Sequence, residues 1–320
     1  MSLITKLNER AFLVLEKLMD NSSALGCTLT KQSNGTTIID AGVEVPGSME
    51  AGRIVGEVCL AGLGTVKISE MSIGDLTLPA AVVETEHVRT ATLCSQYAGW
   101  TINVGKYFGM ASGPARALAT VEKLFKEFDF KDSSDVAVIL LETRRFPPEN
   151  VTEYIARKCG VSTSDLYCII APTACKVGSV QISARIVEVG AHKLHELKFD
   201  PAKIKAGKGM APIAPVVEKD TKAMGITNDC ILYAGQTFYD IEPSDDDDLD
   251  ILVQQVPSSS SSQYGTPFYE LFKSFDFDFY KVDPLLFSPA KVTLRNTKTG
   301  DKYQAGALNA KVLRHSLGRE

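Results

Sequence analysis

The stretch VGSVQISARIVEVGAHKLHEL, residues 177 to 197, sets an arginine and a glutamate three positions apart among valines and isoleucines. Read as a strand, Val180, Ile182, Ala184 and Ile186 alternate with Gln181, Ser183 and Arg185, so Arg185 and Glu188 point to opposite faces. Read as a helix, Gln181, Arg185, Glu188, His192 and His195 follow steps of four, three, four and three and form one ridge. Val180, Ala184, Val187, Ala191 and Leu194 flank the ridge on one side and Ile182, Ile186 and Val189 on the other, which leaves Ser183 and Gly190 on the far side. The helix is the favoured reading, because the Ile186-Val187 run breaks the alternation and the tail HKLHEL suits a helix. The ridge then faces inward. Burying charge is costly unless it is paired and hydrogen-bonded, so Arg185 and Glu188 form either a structural ion pair or a working site, and spacing alone leaves both open.

A second constellation lies in FGMASGPARALATVEKLF, residues 108 to 125. Ser112 reads as an N-cap, followed by Gly113 and by Pro114 in a helix's first turn, with Leu118, Val121, Leu124 and Phe125 as the buried face. Such a start offers free backbone N–H groups and the positive end of the helix dipole, and Arg116 lies in the same turn, so phosphate or carboxylate is a fitting guest. An ordinary capped helix explains the same residues. The phosphate loop G-x-x-x-x-G-K-[ST] is absent, and no G-x-G-x-x-G follows a strand, so nucleotide binding finds no support. Just upstream, CSQYAGWTINVGKYFG gathers the only tryptophan, Trp100, with Tyr97, Tyr107, Phe108 and three glycines, a mixture that suits a flat heterocycle and a core equally.

The elements that must position these groups read as α/β. Ile4, Leu7, Ala11, Leu15 and Leu18 mark an amphipathic opening helix, and CTLTKQSNGTTIIDAG reads as a hairpin around Asn34-Gly35. MEAGRIVGEVCLAGLG is a helix whose Gly52, Gly56 and Cys59 form a small-residue face suited to close packing. DVAVILLE, PPENVTEYIARKCG and SDLYCIIAPT give a βαβ pattern, with Pro148 at the helix start and Gly160 at its end. AGKGMAPIAPV is Pro/Gly punctuation, Asp245 to Asp248 an acidic surface run, and Ser258 to Ser262 a mobile loop. The expected division is an N-terminal domain over residues 1–130 and a C-terminal one over 131–320, with the strands from about Lys291 free to rejoin either sheet.

With 320 residues, 44% hydrophobic and 23% charged, the chain is long enough for a core without staples. A net charge of -5 and no basic cluster interleaved with aromatics exclude a nucleic-acid partner. Seven cysteines without a C-x-x-C pair read as reduced and mostly buried, and the four histidines lack metal-ligand spacing. The first twenty residues carry charges every few positions, unlike a signal peptide, and no apolar run reaches spanning length, so the expected location is the cytoplasm, with no membrane partner.

Taken together, SQYAGW (95 to 100), SGPARA (112 to 117), VQISARIVEVGAHKLHEL (180 to 197), TND (227 to 229) and DFYKVDPLLFSPA (278 to 290) resemble the methenyltetrahydromethanopterin cyclohydrolases, collinearly over nearly the whole chain. Two positions depart from the family pattern: Cys94 stands where glycine or alanine is expected, and Ile226 where arginine is expected. The resemblance implies two intimately packed α/β domains with a pocket between them, a homo-oligomer (typically a trimer), and hydrolysis of a cyclic amidine on the one-carbon pathways of methanogenesis or formaldehyde oxidation. It implies no metal and no redox cofactor. Arg185 and Glu188 match the family's catalytic pair, Glu188 as general base and Arg185 as the group that orients and tunes it. Gln96, Tyr97, Ser112, Gly113, Arg116 and Gln181 are the implied substrate-binding residues, with Ser112 to Arg116 assigned to the phosphate of the pterin side chain. His192 and His195 stay outside the catalytic set. The rival expectations are a pterin carrier without turnover and an enzyme acting on the folate analogue.

Overall fold

The computed structural model describes residues 5–278 and 281–319; Ile4 of the expected opening helix, and Phe279 and Tyr280 of the DFYKVDPLLFSPA string, lie outside them. In chain order the elements begin with α1 (Leu7–Asp20), β1 (Thr28–Lys31), β2 (Thr37–Asp40), α2 (Met49–Cys59), β3 (Gly64–Ile73) and β4 (Leu76–Thr85). A π-helix over Arg89–Gln96 leads to β5 (Trp100–Val104), β6 (Tyr107–Ser112), α3 (Ala115–Ala119) and α4 (Lys123–Glu127). Next come β7 (Ala137–Glu142), α5 (Glu149–Cys159), β8 (Leu166–Ala171), α6 (Lys176–Ser183), α7 (Ile186–Glu196) and β9 (Ile204–Pro212). The remainder is α8 (Asp220–Ala234), β10 (Gln236–Ile241), α9 (Leu249–Gln255), α10 (Phe268–Ser274), β11 (Lys291–Asn296), β12 (Lys302–Gly306) and α11 (Ala310–Ser316).

These elements form two units that are interleaved along the chain: Met1–Gly64 with Thr90–Gln181, and Thr65–Arg89 with Ile182–Glu320. Each contains a six-stranded mixed sheet and helices, the α/β class expected. The expected break near residue 130 falls inside the first unit. Asp132 ties the chain just past that point to its beginning. Its carboxylate accepts the backbone N–H groups of Lys6 (2.6 Å), Leu7 (3.0 Å) and Asn8 (3.1 Å), capping α1 from across the fold. Asn8 in turn accepts the Val138 N–H at the head of β7.

The first sheet runs β1-β2-β8-β7-β6-β5. Its centre, β2-β8-β7, is parallel, and both margins are antiparallel. β7 and α5 lead into β8 as the parallel βαβ unit read from the sequence, and α5 ends at Gly160 with φ +74°. Strand residues alternate between two buried faces. Ile39, Val138, Leu140 and Ile169 pack with Leu15, Leu18 and Val55 of the opening helices. Ile38, Ile139, Leu141 and Ile170 pack with Leu118, Val151 and Ile155. The small face of α2 serves close packing, since a Cβ at Gly52 would stand 2.6 Å from that of Val180.

The second sheet runs β12-β11-β10-β9-β4-β3, so the strands from Lys291 join this unit, with β11 parallel to β10. The segment read as Pro/Gly punctuation is the strand β9. The expected serine loop is instead tied down: Ser258 and Ser260 donate to the carbonyls of Leu232 and Gln255, and Ser261 to Asp283. Within the acidic run, Asp247 pairs with Lys203 at 2.6 Å and Asp248 caps α9. All seven cysteines are buried and none forms a disulfide among the described residues. Among those residues, too, no helix is long and apolar enough to cross a membrane.

Candidate active site

The opening stretch is helical, as favoured, but it is two helices. The backbone turns at Ala184 and Arg185, with Arg185 N–H donating to the Ile182 carbonyl and α7 starting afresh at Ile186. The break interrupts the single ridge expected from Gln181 onward. It also puts Arg185 at the N-cap and Glu188 in the first turn of α7, where the helix dipole favours negative charge. Arg185 Nε and Nη2 both donate to Glu188 Oε2, at 2.8 and 2.7 Å. The Glu188 side chain is 1% exposed and that of Arg185 18%.

The helix is buried on more sides than the sequence suggested. Ser183, expected on the far side, is buried and donates to the Pro212 carbonyl, and Gly190 is covered by Tyr239 and Pro289. Arg185, Val189, His192, His195 and Glu196 are the less covered positions, so the charged ridge is the open side of α7 and Glu188 lies at its base. Burial pushes the His192 imidazole below its usual range, against the opposing pull of Glu188 and Glu196. The first turn is seated on β9, where glycines admit it: a Cβ at Gly207 would come within 2.7 Å of Val187, and one at Gly209 within 2.8 Å of Ile186. On β10, Tyr239 donates its hydroxyl to the Val187 carbonyl at 2.7 Å.

In the first unit, five of the six expected substrate-binding residues converge on the end of the π-helix. That helix makes the wide-turn bond from Tyr97 N–H to Thr92 O at 2.9 Å, and such turns cluster at functional sites. Gln96, its last residue, is buried, and Tyr97 follows. Ser112 closes β6 and does not cap a helix; Gly113, at φ +96°, donates its N–H to the Ser95 carbonyl. Gln181, buried in α6, is the last residue of the unit.

Arg116, expected to meet a substrate phosphate, is fully buried and engaged within the fold. Its Nε and Nη2 donate to Glu122 at 2.9 and 2.5 Å, and its Nη1 donates to the carbonyls of Ser95 (2.8 Å) and Leu93 (3.3 Å). The guanidinium also lies over the rings of Tyr97 and Phe125, at 5.1 and 5.4 Å. The five-residue α3 has Pro114 at its cap, and the N–H groups of Gly113, Arg116 and Ala117 go to the carbonyls of Ser95, Gly113 and Pro114. Arg116 instead caps the π-helix and holds the backbone that presents Gln96 and Tyr97.

The TND string is likewise structural. Thr227 and Asn228 bond back within α8, while Asp229 accepts the Phe268 N–H at the start of α10 (2.8 Å) and the Ser316 hydroxyl at the end of α11 (2.5 Å). Tyr239 and Glu122 escaped the sequence reading, for neither carries a local signal of the partner it serves. Among the described residues no three His, Cys, Asp or Glu side chains gather as a metal site.

A family model described as "Cyclohydrolase (MCH)" matches residues 6–317. The methenyltetrahydromethanopterin cyclohydrolase of Methanocaldococcus jannaschii is 45% identical over 315 residues, 97% of this chain and 98% of its own. That of Methanococcoides burtonii is 43% identical over 312 residues (97% and 98%), and that of Methanothermobacter marburgensis 42% over 321 (98% and 100%). The chain belongs to the methenyltetrahydromethanopterin cyclohydrolase family.

Proposed function

We propose that the protein hydrolyses 5,10-methenyltetrahydromethanopterin to 5-formyltetrahydromethanopterin, with Glu188 as general base. The observation that carries the residue assignment is the buried Glu188 carboxylate, held through one oxygen by Arg185 at the first turn of α7. The methenyl bridge is an amidinium cation and already electrophilic. Glu188 takes a proton from water as the water oxygen bonds to the bridging carbon. The resulting carbinolamine collapses: its hydroxyl gives up its proton to solvent as the C=O forms, one C–N bond breaks, the freed nitrogen takes the proton that Glu188 holds, and the carbon stays on the other nitrogen as a formyl group. Arg185, occupying Oε2, leaves Oε1 to face the water. The scheme needs no metal ion and no redox cofactor. Gln96, Tyr97, Ser112, Gly113 and Gln181 are assigned to the pterin, the first two presented by the π-helix. A homo-oligomer, a trimer by the resemblance, completes the reading and is checked by light scattering.

The test is the loss of the methenyl pterin's absorbance on adding protein, run beside methenyltetrahydrofolate. Glu188→Gln, nearly isosteric but unable to take a proton, should bind substrate and lose about 10²–10⁴ in turnover. Unchanged turnover would remove Glu188 from the mechanism. Binding without turnover by the unmodified protein would mark a carrier, and equal rates on the folate would place the specificity elsewhere.

A further inference from the structure

We propose that Tyr239 is a positioning residue for the Glu188 carboxylate, acting through the carbonyl of Val187; this rests on the assignment of Glu188 as the base. The Tyr239 side chain is fully buried, and its hydroxyl donates to Val187 O at 2.7 Å. That oxygen belongs to the peptide plane that also contains the Glu188 nitrogen, so fixing it fixes the direction in which the Glu188 side chain leaves the backbone. The phenol reaches this depth through the gap at Gly190, where a Cβ would collide with the hydroxyl.

The first turn of α7 needs such an anchor. The backbone break at Ala184 and Arg185 separates it from α6, and its N-cap makes no side-chain cap bond. Arg185 holds the far end of the Glu188 side chain but is itself partly exposed, whereas Tyr239 holds the near end from inside the sheet. Burial raises the phenol's proton affinity by more than the neighbouring Thr237 hydroxyl and Ala191 N–H lower it, and the Glu188 charge adds to the rise, so the hydroxyl keeps the proton it donates to Val187. A carboxylate must be placed to a fraction of an ångström to take a proton from a water that is attacking carbon.

Tyr239→Phe keeps the ring and deletes the anchor. Assayed well below its unfolding temperature, it should lose about tenfold in kcat with KM within about twofold of the parent, since misplacement of about 1 Å costs up to about a hundredfold. The same substitution in a Glu188→Gln background should change kcat no further. Gly190→Ala, which crowds the hydroxyl out of its seat, should reproduce the kcat loss. Full turnover in Glu188→Gln would remove the base itself. With Glu188→Gln impaired, an equal effect of Tyr239→Phe in both backgrounds would overturn the inference and leave the base in place. So would a lowered unfolding temperature with unchanged kcat in Tyr239→Phe or in Gly190→Ala.

Discussion

Asp229 joins α8 to the start of α10 and the end of α11, yet it is a carboxylate with no cation among its bonds. Burial pushes its carboxyl up from an ordinary 3.8 to about 7, the bonds from Ser316 and Phe268 offsetting only part of that and Glu270 adding to it. The folded state therefore holds this proton more tightly than the unfolded chain does. The sign follows: the group's contribution is most favourable below pH 4, falls as pH rises from about 4 to 7, and is flat above. A rise of roughly three pH units at about 1.4 kcal/mol each puts the total near 4 kcal/mol, with most of the last 2 kcal/mol lost between pH 5.5 and 7. An asparagine in place of the acid can still accept from Phe268 N–H and donate to the Ser316 hydroxyl, but it cannot ionise. Urea unfolding of the parent and of Asp229→Asn, measured from pH 5 to 8 and compared as a difference, cancels every other titrating group. Asp229→Asn should gain on the parent by about 2 kcal/mol between pH 5.5 and 7 and hold that gain to pH 8. A difference that stays constant from pH 5 to 8 would show that Asp229 ionises normally and that its burial costs nothing.

Two further perturbations test the fold around the site. Asp132→Ala leaves three backbone N–H groups at the head of α1 without their acceptor and should destabilise the protein by about 3 kcal/mol, seen as a lowered urea midpoint and faster amide exchange at Leu7 and Asn8. Arg116→Ala removes one half of a buried pair and uncaps the π-helix, which should cost about 3–5 kcal/mol of stability. Should that variant keep its stability and only raise KM for the phosphate-bearing substrate over a truncated one, Arg116 would be an anion ligand after all.

What the sequence disclosed about the fold was what local chemistry dictates. Asn34-Gly35 forced the first hairpin, Pro148 and Gly160 bracketed α5, and the i, i+3 spacing of Arg185 and Glu188 announced an ion pair on a helix. The bounds of the two units were not legible, because the chain passes between them at Gly64, at Arg89 and within α6, none of which shows a change in composition. The break before α7 was hidden for a similar reason: Ala184 and Arg185 are good helix formers, and Gly207 and Gly209, on which Val187 and Ile186 are seated, look like loop punctuation until the strand is seen. Arg116 misled through a genuine signal. Ser-Gly-Pro marks a helix start, but β6 claims Ser112 and Glu122 claims the guanidinium, and neither contact has a sequence period.

The interleaving has a consequence during synthesis. β3 and the more apolar β4 leave the ribosome early, while β9, which pairs with β4 from Ala80 to Thr85, is made more than a hundred residues later. At about 5–20 residues per second the edge of β4 waits for roughly 6–24 s, long compared with the folding of a small domain. An unpaired apolar edge of that lifetime is a template for joining another nascent chain. Pro79, which withholds an N–H from that edge, interrupts the template. Replacing Pro79 should therefore be felt in the yield of soluble protein before it is felt in the stability of the finished one.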